Sequence, residues 1–242
     1  MSDPLSPAGP LYRALTPLPL AHARRVMVLA PHPDDECIGC GGLIVALRRR
    51  GVPVKVVLVS DGGGAGGLPP EAATIRQREF DAALVQLGVE EQAKLGFIDG
   101  QLHAAAGLHD AVATVVRGWS PNWLVAPSSA DAHRDHRAVA RAARAAAQAS
   151  ATVEQLIEYE ISTPLPASHV QDIGEFLPIK LRALAEHATA LAHGRYIEAA
   201  EGLARYRALQ LGGPRPDAAA EAYLLLDRAD GYAWPAGTGA PA

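Results

Sequence analysis

Short apolar runs rich in β-branched residues alternate along the chain with longer segments of helical periodicity. Apolar strands that alternate with helices are typical of a parallel sheet covered by helices on both faces. The pattern therefore predicts an α/β fold with a mostly parallel sheet. The predicted strands are 25–30, 54–60, 94–97, 123–127, 153–161 and 222–226, and the predicted helices are 38–50, 71–87, 108–117, 136–148, 177–192 and 197–211.

No internal repeat or linker interrupts this pattern, so we expect a single domain over residues 25–227. Residues 1–24 are rich in Pro and Leu and are predicted to form an N-terminal arm, with order beginning at Arg25. The tail of residues 228–242 is rich in Gly, Pro and Ala and is expected to be loose.

Composition narrows the class of function. Hydrophobic residues make up 49% of the 242 residues and charged residues 20%, which argues against disorder. A net charge of -4 gives no reason to expect a nucleic-acid partner. Two cysteines cannot form a disulfide framework, no apolar run suits membrane insertion, and the N-terminus lacks the pattern of a secretory signal. We expect a cytoplasmic protein, and leave homo-oligomerisation open.

A first candidate site follows the first predicted strand, where residues 31–36 read PHPDDE. Ligands of open α/β sheets bind at the carboxyl ends of strands, and crowded carboxylates are costly unless a cation neutralises them. His32 and Asp35 can both turn toward one ion, with Asp34 beside it. Alternatively the acidic residues only start a helix, and for Glu36 this is the better interpretation.

A second candidate site follows the strand predicted at 123–127, where AHRDH places His133 and His136 three residues apart. On the first turn of a helix these two side chains share a face. Asp135 could orient His133, fix its tautomer and favour its charged form. Taken alone, this motif could also be a polar, solvated helix start.

Together the two motifs supply the ligand types that zinc prefers. A catalytic zinc keeps three protein ligands and an open position for water. The ligand set would be His32, Asp35 and His136. Fe²⁺ or Mn²⁺ could replace Zn²⁺, because two His and one Asp do not exclude them.

PHPDDE, followed about a hundred residues later by AHRDH, resembles the zinc-dependent deacetylases of the PIG-L/LmbE family. The family hydrolyses N-acetyl groups from substrates that contain N-acetylglucosamine. The resemblance runs over about residues 25–227, is strongest up to Ala143, and fits a Rossmann-like domain. It implies three zinc ligands, which are His32, Asp35 and His136. It also implies Asp34 as the general base toward the attacking water. His133 would stabilise the oxyanion or protonate the leaving amine, with Asp135 as its partner.

Two further residues are expected near the substrate. Arg76 matches a family arginine that reaches the sugar or an anionic group attached to it, although a solvated helix pair is the alternative. Asp99 matches an acidic loop position near the family's site, although the Asp-Gly pair is equally typical of a turn. Some members of the family carry a Tyr where this chain has Asp131. A contact of such a Tyr with the substrate carbonyl is therefore in doubt for this chain.

Two other motifs are read as incidental. Cys37 and Cys40 form a CxxC without a second pair, and are interpreted as small packing residues. Gly62, Gly64 and Gly67 match GxGxxG, but Leu-Pro-Pro follows instead of a helix. This segment is interpreted as a flexible loop that could form one wall of the substrate mouth.

The sequence thus predicts a zinc-dependent hydrolase that removes an N-acetyl group from an N-acetylglucosamine-type conjugate, a small N-acetylated amino sugar. Two alternatives stay open. One is an amidase on a bulkier sugar conjugate or natural product, and the other is a non-catalytic nucleotide or redox module.

Overall fold

A computed structural model of the chain describes residues 14–64, 68–212 and 215–232. The strands are β1 (Thr16–Pro17), β2 (Val26–Ala30), β3 (Val54–Ser60), β4 (Glu91–Phe97), β5 (Trp123–Pro127), β6 (Gln155–Tyr159), β7 (His169–Asp172) and β8 (Ala220–Asp227). The α-helices are α1 (Asp35–Arg49), α2 (Ala72–Leu87), α3 (Leu108–Trp119), α4 (Arg134–Ala149), α5 (Leu177–Ala185), α6 (Ala188–Leu191) and α7 (Tyr196–Ala208). Short 3₁₀ turns lie at Leu20–His22, Leu102–Ala104, Leu209–Leu211 and Arg228–Asp230.

The described strands form one eight-stranded sheet in the order β1-β7-β8-β6-β5-β2-β3-β4. Its strands pair in parallel except β8, which is antiparallel to both of its neighbours, β6 and β7. The predicted α/β class with a mostly parallel sheet is confirmed.

Alternate residues of each central strand face opposite sides of the sheet. Val28 of β2 packs in the cluster that includes residues of α1, α2, α5 and α7, whereas Leu29 packs in the cluster that includes residues of α3 and α4. Helices therefore cover both faces, as predicted. Because both faces of β2 are buried, the strand reads as a continuous apolar run.

The two ends of the domain differ from the prediction. Order does not begin at Arg25, because Thr16–Pro17 adds a parallel edge strand to β7 and Leu18 is buried. At the other end, the buried Tyr232 donates its hydroxyl to the carbonyl of Val153 at 2.7 Å, so the first part of the predicted loose tail is packed. Residues 233–242 lie outside the described part.

Two further boundaries differ. The helix predicted at 177–192 is divided into α5 and α6 by His187, whose backbone leaves the helical region with ψ 57°. Strand β7 was not predicted, because its sequence HVQD has no apolar alternation. Among the described residues, no helix has the length and apolarity needed to cross a membrane.

Helix α1 bends at Cys40, whose φ of -145° and ψ of 21° are not helical. Glycines on either side of the bend allow close packing. A Cβ atom at Gly39 would lie 2.0 Å from the ring of Tyr159, and one at Gly42 would lie 2.5 Å from Ile173. The GCGG segment is therefore fixed by contact with the neighbouring elements.

We expect Gly39→Ala to lower the free energy of unfolding by about 1–3 kcal/mol, since the new methyl group overlaps a buried ring. Gly202→Ala is the matched control, because a Cβ atom there meets nothing within 4 Å and Ala favours helix by about 1 kcal/mol. Urea unfolding of both variants measures the difference. Equal stability of the two variants would contradict the packing argument.

The sheet order also locates the site. From β2 the chain builds outward through β3 and β4 on one side, and later through β5 and β6 on the other. The gap between the carboxyl ends of β2 and β5 is therefore the topological switch point, where α/β sheets bind ligands.

Candidate metal and active site

The two sequence motifs meet at this switch point, since PHPDDE follows β2 and AHRDH lies in the segment that leads from β5 into α4. Seven of the eight predicted site residues line one open pocket of about 220 Å³; they are His32, Asp34, Asp35, Arg76, Asp99, His133 and His136. Asp135 does not line it and is fully buried. The structure thus brings the predicted residues together, while their chemical roles stay predictions.

Three donor atoms converge with the spacing of a metal site. His32 Nδ1 lies 3.2 Å from Asp35 Oδ2 and 3.2 Å from His136 Nε2, and His136 Nε2 lies 3.5 Å from Asp35 Oδ2. Ligands about 2.0–2.1 Å from a tetrahedral zinc are separated from one another by roughly 3.3–3.4 Å. The triangle therefore fits an ion of this size, and His133 is a further nearby donor.

Carboxylates face the other nitrogen of each of these imidazoles. His32 Nε2 lies 3.3 Å from Asp99 Oδ1 and 3.5 Å from Asp135 Oδ2. His136 Nδ1 lies 3.1 Å from Asp131 Oδ1, an electrostatic contact that is not aligned as a hydrogen bond. Such carboxylates favour the tautomer that leaves the opposite nitrogen free to bind a metal.

The pocket favours positive charge at the donor triangle. Burial alone would lower the pKa of His32, but hydrogen bonds with Asp135 and Asp35 raise it to about 10. Burial opposes ionisation of Asp35, yet His136 and His32 lower its pKa to about 2. The field that stabilises a proton here also favours a metal cation, so the residues fit the zinc that the sequence predicts.

Asp34 lies next to the triangle in an uncommon backbone conformation. Its φ of 127° is positive, which costs a non-glycine residue free energy and is found most often at functional sites. Burial and the neighbouring Asp35 raise the pKa of Asp34 to about 7. Its Oδ2 atom lies 3.8 Å from Arg76 Nη2. A carboxylate with this pKa suits proton transfer near neutral pH.

His133 is the N-cap of α4, where its Nδ1 atom accepts a hydrogen bond from the backbone N–H of Asp135 at 3.3 Å. This bond leaves Nε2 as the donor of a neutral ring. Burial, His136 and His32 lower the pKa of His133, contrary to the expected charged form. The expected pairing is corrected too, because the carboxylate of Asp135 contacts His32 and His103 instead.

Arg76 and Asp99 lie in the pocket wall, but protein groups occupy much of their bonding capacity. Arg76 donates to the carbonyls of Gly62 and Pro33 and to Asp99, each at 3.1 Å. Asp99 also accepts from the backbone N–H of Gly64 at 3.0 Å. These hydrogen bonds fix the wall of the pocket. Contact of Arg76 and Asp99 with the substrate stays a prediction.

Asp131 and Tyr196 lie near the site but are not among the residues predicted from the sequence. Asp131 carries a signal that could have been used, since it lies two residues before His133. Tyr196, which lines the pocket from the start of α7, lies in a segment without a recognisable motif.

The two incidental motifs have no chemistry of their own in the described residues. Cys37 and Cys40 are buried free thiols, and burial raises the pKa of both, which disfavours reactive thiolates. Gly62 and Gly64 do not open a helix, because α2 begins at Ala72. Gly67 lies outside the described residues.

Comparisons with known proteins identify the family of the chain. Residues 27–147 match the family described as PIG-L: GlcNAc-PI de-N-acetylase. The chain is 30% identical over 198 residues to a probable N-acetyl-alpha-D-glucosaminyl L-malate deacetylase 2 of Bacillus anthracis, which covers 72% of this chain and 84% of the relative. It is 31% identical over 128 residues to a diacetylchitobiose deacetylase of Thermococcus kodakarensis, which covers 49% of this chain and 47% of the relative.

Among solved structures, the N,N'-diacetylchitobiose deacetylase of Pyrococcus horikoshii has a TM-score of 0.78 at 21% identity, with 90% of each chain covered, which supports the fold. The family match spans half of the chain and contains both motifs. Since the Bacillus relative is also matched over most of its length, the chain belongs to the PIG-L family of deacetylases.

Proposed function

We propose that the chain removes the N-acetyl group of an N-acetylglucosamine-type conjugate in a metal-dependent amide hydrolysis. The observation that carries this proposal is the triangle of His32, Asp35 and His136 donor atoms, with Asp34 beside it in an open pocket. Membership of a deacetylase family supports the same reaction.

In this proposal, His32, Asp35 and His136 hold the metal, and zinc suits this set of two imidazoles and one carboxylate. When bound, the metal supplies Lewis acidity and lowers the pKa of water at the site. Asp131 orients His136, and Asp135 and Asp99 orient His32, through the nitrogens that face away from the triangle.

The remaining steps belong to the side chains around the triangle. Asp34 takes a proton from the attacking water, for which its pKa of about 7 is suited. His133 offers its Nε2–H to the amide oxygen as negative charge develops there. The departing amine needs a proton, which Asp34 can deliver once it is protonated, and which His133 can deliver only in its charged form.

The pocket leaves room for more than the reacting amide. It adjoins a second pocket of about 430 Å³ that shares Gly64 and Asp99 with it and adds Asp61 and Arg134 to its lining. We propose that the sugar binds beside the triangle and that the group attached to it extends into this second pocket. The same space supports a bulkier sugar conjugate as the second candidate.

Release of acetate tests the function. The protein, purified without chelator, is assayed for metal content and then incubated with N-acetylglucosamine, N,N'-diacetylchitobiose, N-acetylglucosaminyl malate and a bulkier acylated glycoside. We expect about one metal ion per chain and acetate release from at least one sugar. Release from the bulky glycoside alone would favour the second candidate. No metal uptake and no release from any compound would refute the proposal.

Asp131→Asn tests the orienting carboxylates. We expect zinc affinity to fall about 10–100-fold, because the variant weakens the contact that sets the tautomer of His136. Glu158→Gln is the matched control, since Glu158 is equally buried but contacts Ser129 and Arg144 and none of the proposed ligands. Calorimetric titration of the metal-free proteins with Zn²⁺ gives both affinities. An unchanged affinity in the Asp131 variant would remove Asp131 from the metal site.

A further inference from the structure

Glu36 lies in the first turn of α1, as the sequence favoured, but it is not a solvated end of the helix. Its side chain is fully buried and turns back toward the residue before α1. One carboxylate oxygen, Oε2, accepts a hydrogen bond from the backbone N–H of Asp34 at 3.2 Å. The other, Oε1, lies 2.9 Å from His187 Nε2 and 3.1 Å from Cys37 Sγ. The carboxylate therefore links the proposed catalytic base to a distant histidine.

His187 reaches Glu36 from the short break between α5 and α6, and its side chain is only 1% exposed. A buried carboxylate without a partner is costly, because it has lost its hydration. The imidazole supplies that partner as a charge-assisted donor. The contacts of His187 and Cys37 converge on one oxygen at hydrogen-bond lengths, so the carboxylate of Glu36 has protein partners, while Nδ1 of His187 is buried and meets no hydrogen-bond partner among the described residues.

The backbone of Asp34, whose N–H donates to Glu36, must be held in place by its surroundings. Asp34 has its positive φ of 127°, and a conformation of this kind persists only where the surroundings fix it. Glu36 holds the N–H of Asp34 from one side. Arg76 holds the preceding residue from the other side, through the carbonyl of Pro33.

We propose that Glu36 and His187 are positioning residues for Asp34. His187 keeps the carboxylate of Glu36 in place, and Glu36 in turn fixes the backbone that points the base at the site. This inference rests on the proposed deacetylation and adds a requirement to it. The break between α5 and α6 thus contributes to the geometry of Asp34, although neither helix supplies a proposed metal ligand.

The test compares His187→Gln, which retains a side-chain N–H donor, with His187→Leu, which does not. For His187→Leu we expect kcat to fall at least about tenfold, with KM and bound metal within about twofold of wild type. His187→Gln should recover kcat to within about threefold. Thr189→Val is the control, because it removes a hydrogen bond to Glu79 in the same segment and leaves Glu36 untouched.

The outcomes separate the two proposals. A wild-type kcat in His187→Leu would overturn the positioning role, and so would equal loss of kcat and metal in both His187 variants. A wild-type protein that releases no acetate would refute the function instead. In that case a crystal structure of His187→Leu still decides the inference. We expect Glu36 to leave the N–H of Asp34 and φ of Asp34 to relax, whereas an unchanged Asp34 would overturn it.

Discussion

Asp34→Asn is expected to retain metal and to lose acetate-releasing activity by about 10²–10⁴-fold, the range that a positioned general base contributes. Asn has nearly the same shape as Asp and tolerates a positive φ better than most residues, so the backbone at this position should persist. Its amide cannot take a proton from water. The loss should therefore appear in kcat, with little change in bound metal.

Asp35→Asn is the comparison for this experiment, because the neighbouring side chain supplies one corner of the donor triangle. That variant should lose both metal and activity. Metal analysis and initial rates of acetate release on the same preparations distinguish the two variants. If Asp34→Asn keeps wild-type kcat with metal bound, the base is another group.

Glu221→Leu is expected to lower the free energy of unfolding by about 3–5 kcal/mol, as removal of one member of a buried ion pair does. Glu221 of β8 lies 2.6 Å from Lys180 Nζ, and both side chains are nearly inaccessible. It also accepts from the backbone N–H groups of Gly42 and Leu43 at 2.8 and 2.7 Å. The loss would leave an uncompensated ammonium and three buried donors without this acceptor, since the hydroxyl of Tyr223 also donates to Glu221 at 2.7 Å.

The bend in α1 explains why this pair is present. Beyond Cys40, the N–H of Gly42 is directed to Glu221, while the carbonyl of Ile38 accepts from Lys180 Nζ at 2.8 Å. The ion pair thus takes both ends of a hydrogen bond that a straight helix would make internally. The carboxylate serves as the N-terminal cap of the second half of the helix.

Urea denaturation measures the effect of Glu221→Leu, with Glu221→Gln as an intermediate variant that keeps an acceptor. Glu201→Ala is the control, because Glu201 forms an exposed pair with Arg205 that should contribute less than about 1 kcal/mol. A change below 1 kcal/mol in Glu221→Leu would show that the ion pair does not secure the bend.

The sequence was most informative where chemistry and strand ends coincide. The strands at 54–60 and 123–127 were predicted with their observed bounds, because buried parallel strands read as short apolar runs. The motifs that follow β2 and β5 could be placed together since the carboxyl ends of parallel strands share one edge. His32, Asp35 and His136 could therefore be assigned to one site from the sequence.

The contacts that the sequence did not reveal join distant residues or depend on rotamers. His187 and Glu36 are 151 positions apart, and no periodicity records such a contact. Asp135 adjoins His136 in the chain, yet its carboxylate turns toward His32 across the gap between the two motifs. Strand β1 has two residues and is stabilised by pairing with β7, so its own sequence carried little signal.

The position of β8 has a consequence for the order in which the chain can fold during synthesis. This last strand inserts between β6 and β7 and supplies Glu221 to α1, near the beginning of the chain. A nascent chain can pair β2, β3, β5 and β6 as they emerge, but α1 remains without its internal cap until about 180 further residues have been made. In a chain that folds during its synthesis, the bend of α1 therefore gains its cap only after β8 has emerged. A chain truncated before β8 would contain both motifs but lack the carboxylate that caps the second half of α1.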